Sequence, residues 1–178
     1  MHEQILEFWF DELKPAMWWK KDKSLDQLIG QRFGEVHRQA TRGELWPWRQ
    51  TPGGRLAEII LLDQFSRNIY RDRPESFAHD GMALVLAQEA IAASADQALP
   101  VAQRSFLYMP FMHSESLAIH EQAVALFSTP GMESNLDFEL RHRDILRRFG
   151  RYPHRNKVLG RVSTEEELRF LTQPGSSF

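Results

Sequence analysis

Apolar positions recur at three- and four-residue steps along almost the whole chain, the spacing of one face of an α-helix. Ile5, Leu6, Phe8, Trp9 and Phe10 predict a short opening helix, buried on more than one side and ended by Lys14-Pro15. Trp18 and Trp19 follow in a loop. Ser24 with Gln27 reads as a capping box, and Leu25, Leu28, Ile29, Phe33 and Val36 as the stripe of a second helix that Gly43 stops. Leu45-Trp46-Pro47-Trp48 is a turn, and Pro52-Gly53-Gly54 is a break. From Arg55 to about Tyr70, the residues Leu56, Ile59, Ile60, Leu61, Leu62, Phe65 and Ile69 cover most of a helix circumference. A helix apolar on nearly every side lies at the centre of a fold.

A third stripe, Ala83, Leu86, Ala87, Ala90 and Ile91, predicts a helix between Phe77 and Ala95. Pro100, Pro110 and Thr129-Pro130-Gly131 bound two more, over 101–109 and 115–128. Another spans 134–149 and closes at Gly150, and the last starts at Ser163 with Glu166 as its capping partner. No run alternates with a period of two, and no Asn-Gly or Asp-Gly step stands between two alternating runs as a hairpin requires. The expected class is all-α, built of antiparallel helical hairpins. The pairs are 55–70 with 77–95, 101–109 with 115–128, and 134–149 with 163–172. The expected organisation is one domain over 1–174 and a disordered tail at 175–178.

The 178 residues, 42% hydrophobic with 12 Phe and 5 Trp, can fill a core without staples. The absence of cysteine removes disulfides, thiolate-held zinc and thiol catalysis. The opening stretch MHEQILEFWFDELK has no basic leader, and no window is apolar for the ~18 residues that a membrane span needs. A cytoplasmic location without membrane contact is expected. The formal charge of −2 argues against a general nucleic-acid binder.

Three polar features interrupt the apolar pattern. On the central helix, Asp63 and Arg67 stand four apart and share a face, with Gln64, Asn68 and Arg71 in the next row. They read either as an ion pair bridging helices or as the lining of a cleft. The segment Tyr108-Met109-Pro110-Phe111-Met112-His113-Ser114-Glu115 comes next. There Pro110 is expected to stop one helix and Ser114 to cap the next, leaving His113 and Glu115 beside a helix start where an anion can sit. His113 is then the candidate general base and Glu115 its orienter, with His154 and Asp63 as the alternatives for those two roles. A metal set of His113, Glu115, His120 and His142 lacks the His-Glu-x-x-His spacing, so no metal or other cofactor is expected.

The third feature is basic. Between Arg141 and Arg161 stand seven arginines and Lys157 against the single acid Asp144, whereas 105–140 holds no Lys or Arg and five acids. The basic turn either docks on the acidic segment or forms a pocket for phosphate or carboxylate, which guanidinium forks suit. Tyr152 within it also suits base stacking, which the overall acidity opposes.

Leu61-Leu62-Asp63-Gln64-Phe65-Ser66-Arg67-Asn68, the segment 108–115, and Arg148-Phe149-Gly150-Arg151-Tyr152-Pro153-His154-Arg155-Asn156 together resemble the bacterial family called domain of unknown function 924. Leu6-Glu7-Phe8-Trp9-Phe10 and Leu159-Gly160-Arg161 also match its pattern. The resemblance implies an all-α fold similar to tetratricopeptide-repeat proteins, with helix pairs stacked in a right-handed superhelix. It implies no activity. The expected function is a binding module that takes a small anionic ligand or peptide group on Asp63, Arg67, Asn68, Tyr108, Arg151, His154, Arg155 and Asn156. The alternative is a small enzyme for an anionic metabolite, with His113 or His154 as base.

Overall fold

In the computed structural model, which describes residues 1–177, the segment marked as central is buried without a break from Leu56 to Ser66. It begins as α3 (Pro52–Ile60), widens into a single π turn over Leu61–Phe65 and finishes as α4 (Ser66–Ile69). The described residues are helical and contain no strand, as the periodicity predicts. Two compact units are formed, one of Met1–Arg71 with Glu75–Pro110 and the other of Asp72–Pro74 with Phe111–Phe178.

In the first unit, α1 (His2–Glu7) runs into a wide turn over Phe8–Glu12 and packs on α3. The helix α2 (Lys23–Thr41) packs on α4, and α5 (Asp80–Ala92) packs on α3. Aromatic rings fill the space between them. Phe33 lies 5.0 Å from Phe8 and 5.2 Å from Phe65, and Trp9 lies 5.5 Å from Phe65 and 5.7 Å from Phe106. Phe106 belongs to α6 (Val101–Met112). In the second unit, α7 (Leu117–Phe127) packs along α8 (Glu133–Phe149), and α9 (Glu165–Leu171) packs on the short 3₁₀ turn Pro153–Arg155.

Several boundaries differ from the expectation, each for a local reason. Asp22, not Ser24, caps α2, accepting the Ser24 and Leu25 N–H groups, and Leu28 sits at the edge of the buried stripe, 45% exposed. Pro52-Gly53-Gly54 opens α3 instead of breaking the chain. Pro52 needs no N–H in a first turn, and Thr51 Oγ1 accepts from the Gly54 N–H. Pro110 does not stop α6. It forfeits one backbone bond and the helix runs on to Met112. Ser114 is consequently no cap; Ser116 precedes α7 and makes no side-chain cap bond. The last capping box uses Thr164 and Glu167, one residue beyond Ser163 and Glu166. Gly150 closes α8 in the left-handed conformation, as expected. Of the tail expected to be disordered, Phe178 lies outside the described residues, while the Ser176 N–H and hydroxyl bond to Gln173 and Leu171 carbonyls.

Two predictions follow from this packing. A Cβ at Gly54 would stand 2.0 Å from the Trp48 carbonyl oxygen, so Gly54→Ala should lower stability in urea by ~3 kcal/mol; a change under ~0.5 kcal/mol would show that the turn yields. His37 is buried on α2, its Nε2 2.8 Å from Ser66 Oγ. Burial, helped by the charges of His79 and Arg38, pushes its pKa down to about 4. The unfolded chain therefore takes up a proton below about pH 6.5 that folded His37 refuses until about pH 4. The stability present above that window should fall by up to ~3 kcal/mol as pH drops through it, and His37→Gln should make the fall smaller. An unchanged slope in urea titrations would refute the assignment.

Candidate functional site

The polar groups of the central segment are held inside the first unit. Asp63 is 1% exposed, accepts from Gln64 Nε2 at 2.7 Å, and lies 3.2 Å from Arg67 Nη1. Arg67 also grips both oxygens of Asp80 on α5, at 2.9 and 3.0 Å, and lies against the Phe77 ring. Asn68 and Arg71 both reach Asp26 on α2, Asn68 at 2.8 Å and Arg71 with a two-pronged bond at 2.6 Å. Asp63 and Arg67 pair across their four-residue spacing, Asn68 and Arg71 share Asp26, and Gln64 bonds Asp63. Tyr108 is buried and donates to Asp96 at 2.6 Å. Burial first, and then that acid, raise its phenol above the ordinary range.

The second unit brings the end of the second motif and the whole of the third together. Tyr152 is fully buried at their centre. Its hydroxyl donates to the Met112 carbonyl at 2.6 Å, and its N–H donates to Glu115 at 2.7 Å. The Arg155 guanidinium lies 4.8 Å over its ring and donates to the His113 carbonyl at 3.0 Å. The rings of His120, His142 and His154 surround it at 6.2, 5.8 and 5.7 Å. The Pro153–Arg155 turn holds this order, since Pro153 fixes its backbone and Asn156 ties it to Ser163 at 3.0 Å. His113, Glu115, Arg151, His154 and Arg161 line this cluster and are only partly buried.

Glu115 receives Arg161 at both oxygens, at 2.7 and 2.9 Å. Burial alone would raise its carboxyl; the bonds from Arg161 and the Tyr152 N–H outweigh burial and hold it below the ordinary range. Arg151 grips Glu167 at 2.7 and 2.8 Å and the Val162 carbonyl at 2.8 Å, binding α9 to the turn. That grip, opposed by burial and helped by the Thr164 N–H, lowers Glu167 to about 2. His142 donates Nδ1–H to the Phe138 carbonyl at 2.7 Å, and burial drives its pKa to about 3, so it is a neutral imidazole at pH 7. Among the described residues no group of three or more His, Asp or Glu stands where it could hold one metal ion.

A family model described as bacterial protein of unknown function (DUF924) matches residues 5–175. The chain belongs to this family. It is also similar to a solved structure, a protein of unknown function, ATU0120, from Agrobacterium tumefaciens, with 39% identity over 96% of each chain and a TM-score of 0.91. A comparison with curated proteins finds no significant match. The family is the one that the three motifs resemble, and neither match carries an activity.

For this DUF924 chain, the residues drawn from the motifs divide between two places. Asp63, Arg67, Asn68 and Tyr108 lie in the first unit, and His113, Glu115, Arg151, His154, Arg155 and Asn156 in the second. Sequence reasoning missed Asp26, Asp80 and Asp96 as partners in the first unit and Glu167 in the second. Arg161 and His120 were noticed, Arg161 in the basic stretch and His120 in a metal set, but their pairing with Glu115 and Glu139 was not. The carboxylates sit far along the chain from their arginines, and no local pattern marks them. Tyr152→Phe removes the hydroxyl that reaches Met112 and should cost ~1–3 kcal/mol in urea unfolding. A cost near zero would mean that the hydroxyl does not hold the cluster.

Proposed function

We propose that this protein is a cytoplasmic binding module that takes a carboxylate or phosphate, from a small ligand or a peptide, at the cluster around Tyr152. The observation that carries the reading is the convergence of two motifs on one rigid turn. Buried Tyr152 and Asn156 fix the backbone, while partly exposed His113, His154 and the Arg151 and Arg161 edges border it. Groups held this way lose little freedom on binding, which is what a preorganised anion site requires. Asp63, Arg67, Asn68 and Tyr108 are given the complementary task of tying the first unit together. The same reading takes the helical hairpins as members of a tetratricopeptide-like right-handed superhelix, an architecture that presents concave binding faces.

The catalytic alternative takes His113 or His154 as base with Glu115 or Asp63 as its orienter; Glu115 already accepts from Arg161 and the Tyr152 N–H, and Asp63 is engaged by Gln64 and Arg67 inside the first unit. The binding reading therefore comes first. A thermal-shift series with phosphate, sugar phosphates, dicarboxylates and short acidic peptides tests it. A ligand at ~100 times its Kd should add about 2.7 kcal/mol and raise the midpoint by several degrees. His154→Ala should weaken that ligand about tenfold while the helical content stays unchanged. A flat series, or a shift that His154→Ala leaves untouched, would overturn the proposal.

A further inference from the structure

His120 on α7 and Glu139 on α8 are both completely buried, with His120 Nδ1 2.6 Å from Glu139 Oε1. The other imidazole nitrogen, Nε2, lies 2.8 Å from the Ser114 carbonyl and 3.1 Å from the Tyr152 hydroxyl. A carbonyl only accepts. The Tyr152 hydrogen is given to the Met112 carbonyl, so the phenolic oxygen also presents a lone pair to His120. Nε2 must therefore carry a hydrogen. The contact at Nδ1 then needs a second one, either on the imidazole or on the carboxyl. A neutral imidazole beside a free carboxylate has one hydrogen for these two contacts and leaves two lone pairs opposed at one of them.

We infer that the His120–Glu139 pair stores one proton beyond that count, and that its loss unlatches the turn His113-Ser114-Glu115. The second oxygen of Glu139 supports the stored proton. It is buried without a partner, and an orphaned oxygen costs less in a neutral acid than in a carboxylate. Burial also raises the Glu139 carboxyl, against the opposing pull of His120. When the proton leaves, the remaining N–H turns to the charged carboxylate, the stronger acceptor. The Ser114 carbonyl is then left facing a lone pair and the turn loses its tie to α7. The groups around the pair are Glu121 beside it on α7, His142 and Arg143 on α8, His113 and Glu115 on the turn, and Tyr152, His154 and Arg155 beyond.

The sign follows from proton counting. Above the ordinary histidine range the folded pair holds a proton that the unfolded chain has released. The stability it contributes is complete below that range and is lost as pH rises. This inference concerns the turn used by the proposed anion site, yet it rests on the hydrogen-bond chemistry of the pair and stands whether or not a ligand binds.

The test is nitrogen-15 NMR of the histidine side chains in the full chain, with amide hydrogen exchange across residues 113–116 from about pH 6 to 10. At neutral pH, His120 Nε2 should be protonated and a far-downfield proton should be shared between Nδ1 and Glu139. On the alkaline side the 113–116 amides should lose protection beyond the intrinsic change in exchange rate. In Glu139→Gln the amide donates to Nδ1 while Nε2–H stays on Ser114, so a neutral imidazole satisfies every contact and the alkaline loss should vanish. An unprotonated Nε2 in the natural chain at neutral pH, or an alkaline loss that persists in Glu139→Gln, would overturn the inference. The natural chain's spectrum settles the proton count even where the variant fails to fold.

Discussion

A helix buried on every side has no face left for water, so each polar group on it must find a partner inside the protein. That constraint governs the first unit. Glu58 is fully buried on α3 and is matched by both prongs of Arg49 at 2.7 Å. Asp63 and Ser66 are answered by Gln64, Arg67 and His37. Each partner fixes a neighbour. His37 sets the rotation of α2, and Arg67 sets the start of α5 through Asp80. The apolar residues supply the driving force, while the polar ones select which helix lies where.

The same logic recurs in the second unit around a different centre. There the buried group is Tyr152, which comes from a loop. Its hydroxyl and amide reach back to the end of α6 and to Glu115 just after it, so one aromatic residue fastens a connecting segment that has no side-chain cap of its own. The arginines surrounding it do separate jobs. Arg151 secures α9, Arg161 secures Glu115, and Arg155 secures the His113 carbonyl. A turn fixed from three directions gives its imidazoles a defined position.

Periodicity made the helices readable because burial and helical spacing act on the same residues: Leu56 through Phe65 declare both at once. Ends were harder. Asp22, Ser116 and Thr164 were missed or shifted because several candidate caps lie side by side, and competition for the first N–H groups is decided by backbone angles. Pro110 misled for a similar reason, since near a helix end the bond it removes is cheap to lose. The arginine-rich and acid-rich segments were legible as complementary stretches, and Arg161–Glu115, Arg143–Glu121 and Arg147–Glu121 do join them. Which acid met which arginine was not legible, since that depends on how α7 and α8 are rotated against each other.

The pairing of the basic stretch changes how the surface looks from a distance. Arg143 and Arg147 meet Glu121, Arg148 meets Glu166, Arg151 meets Glu167 and Arg161 meets Glu115. A row of such pairs acts as a row of dipoles, whose field decays within a few ångströms where that of seven free cations would extend for a Debye length, about 8 Å in physiological salt. Five of the seven arginines thus have their field shortened by a carboxylate, while Arg141 lies over the Phe138 ring and Arg155 over the Tyr152 ring. The long-range field of the stretch is therefore weaker than its composition suggests, and each paired fork acts mainly over contact distances.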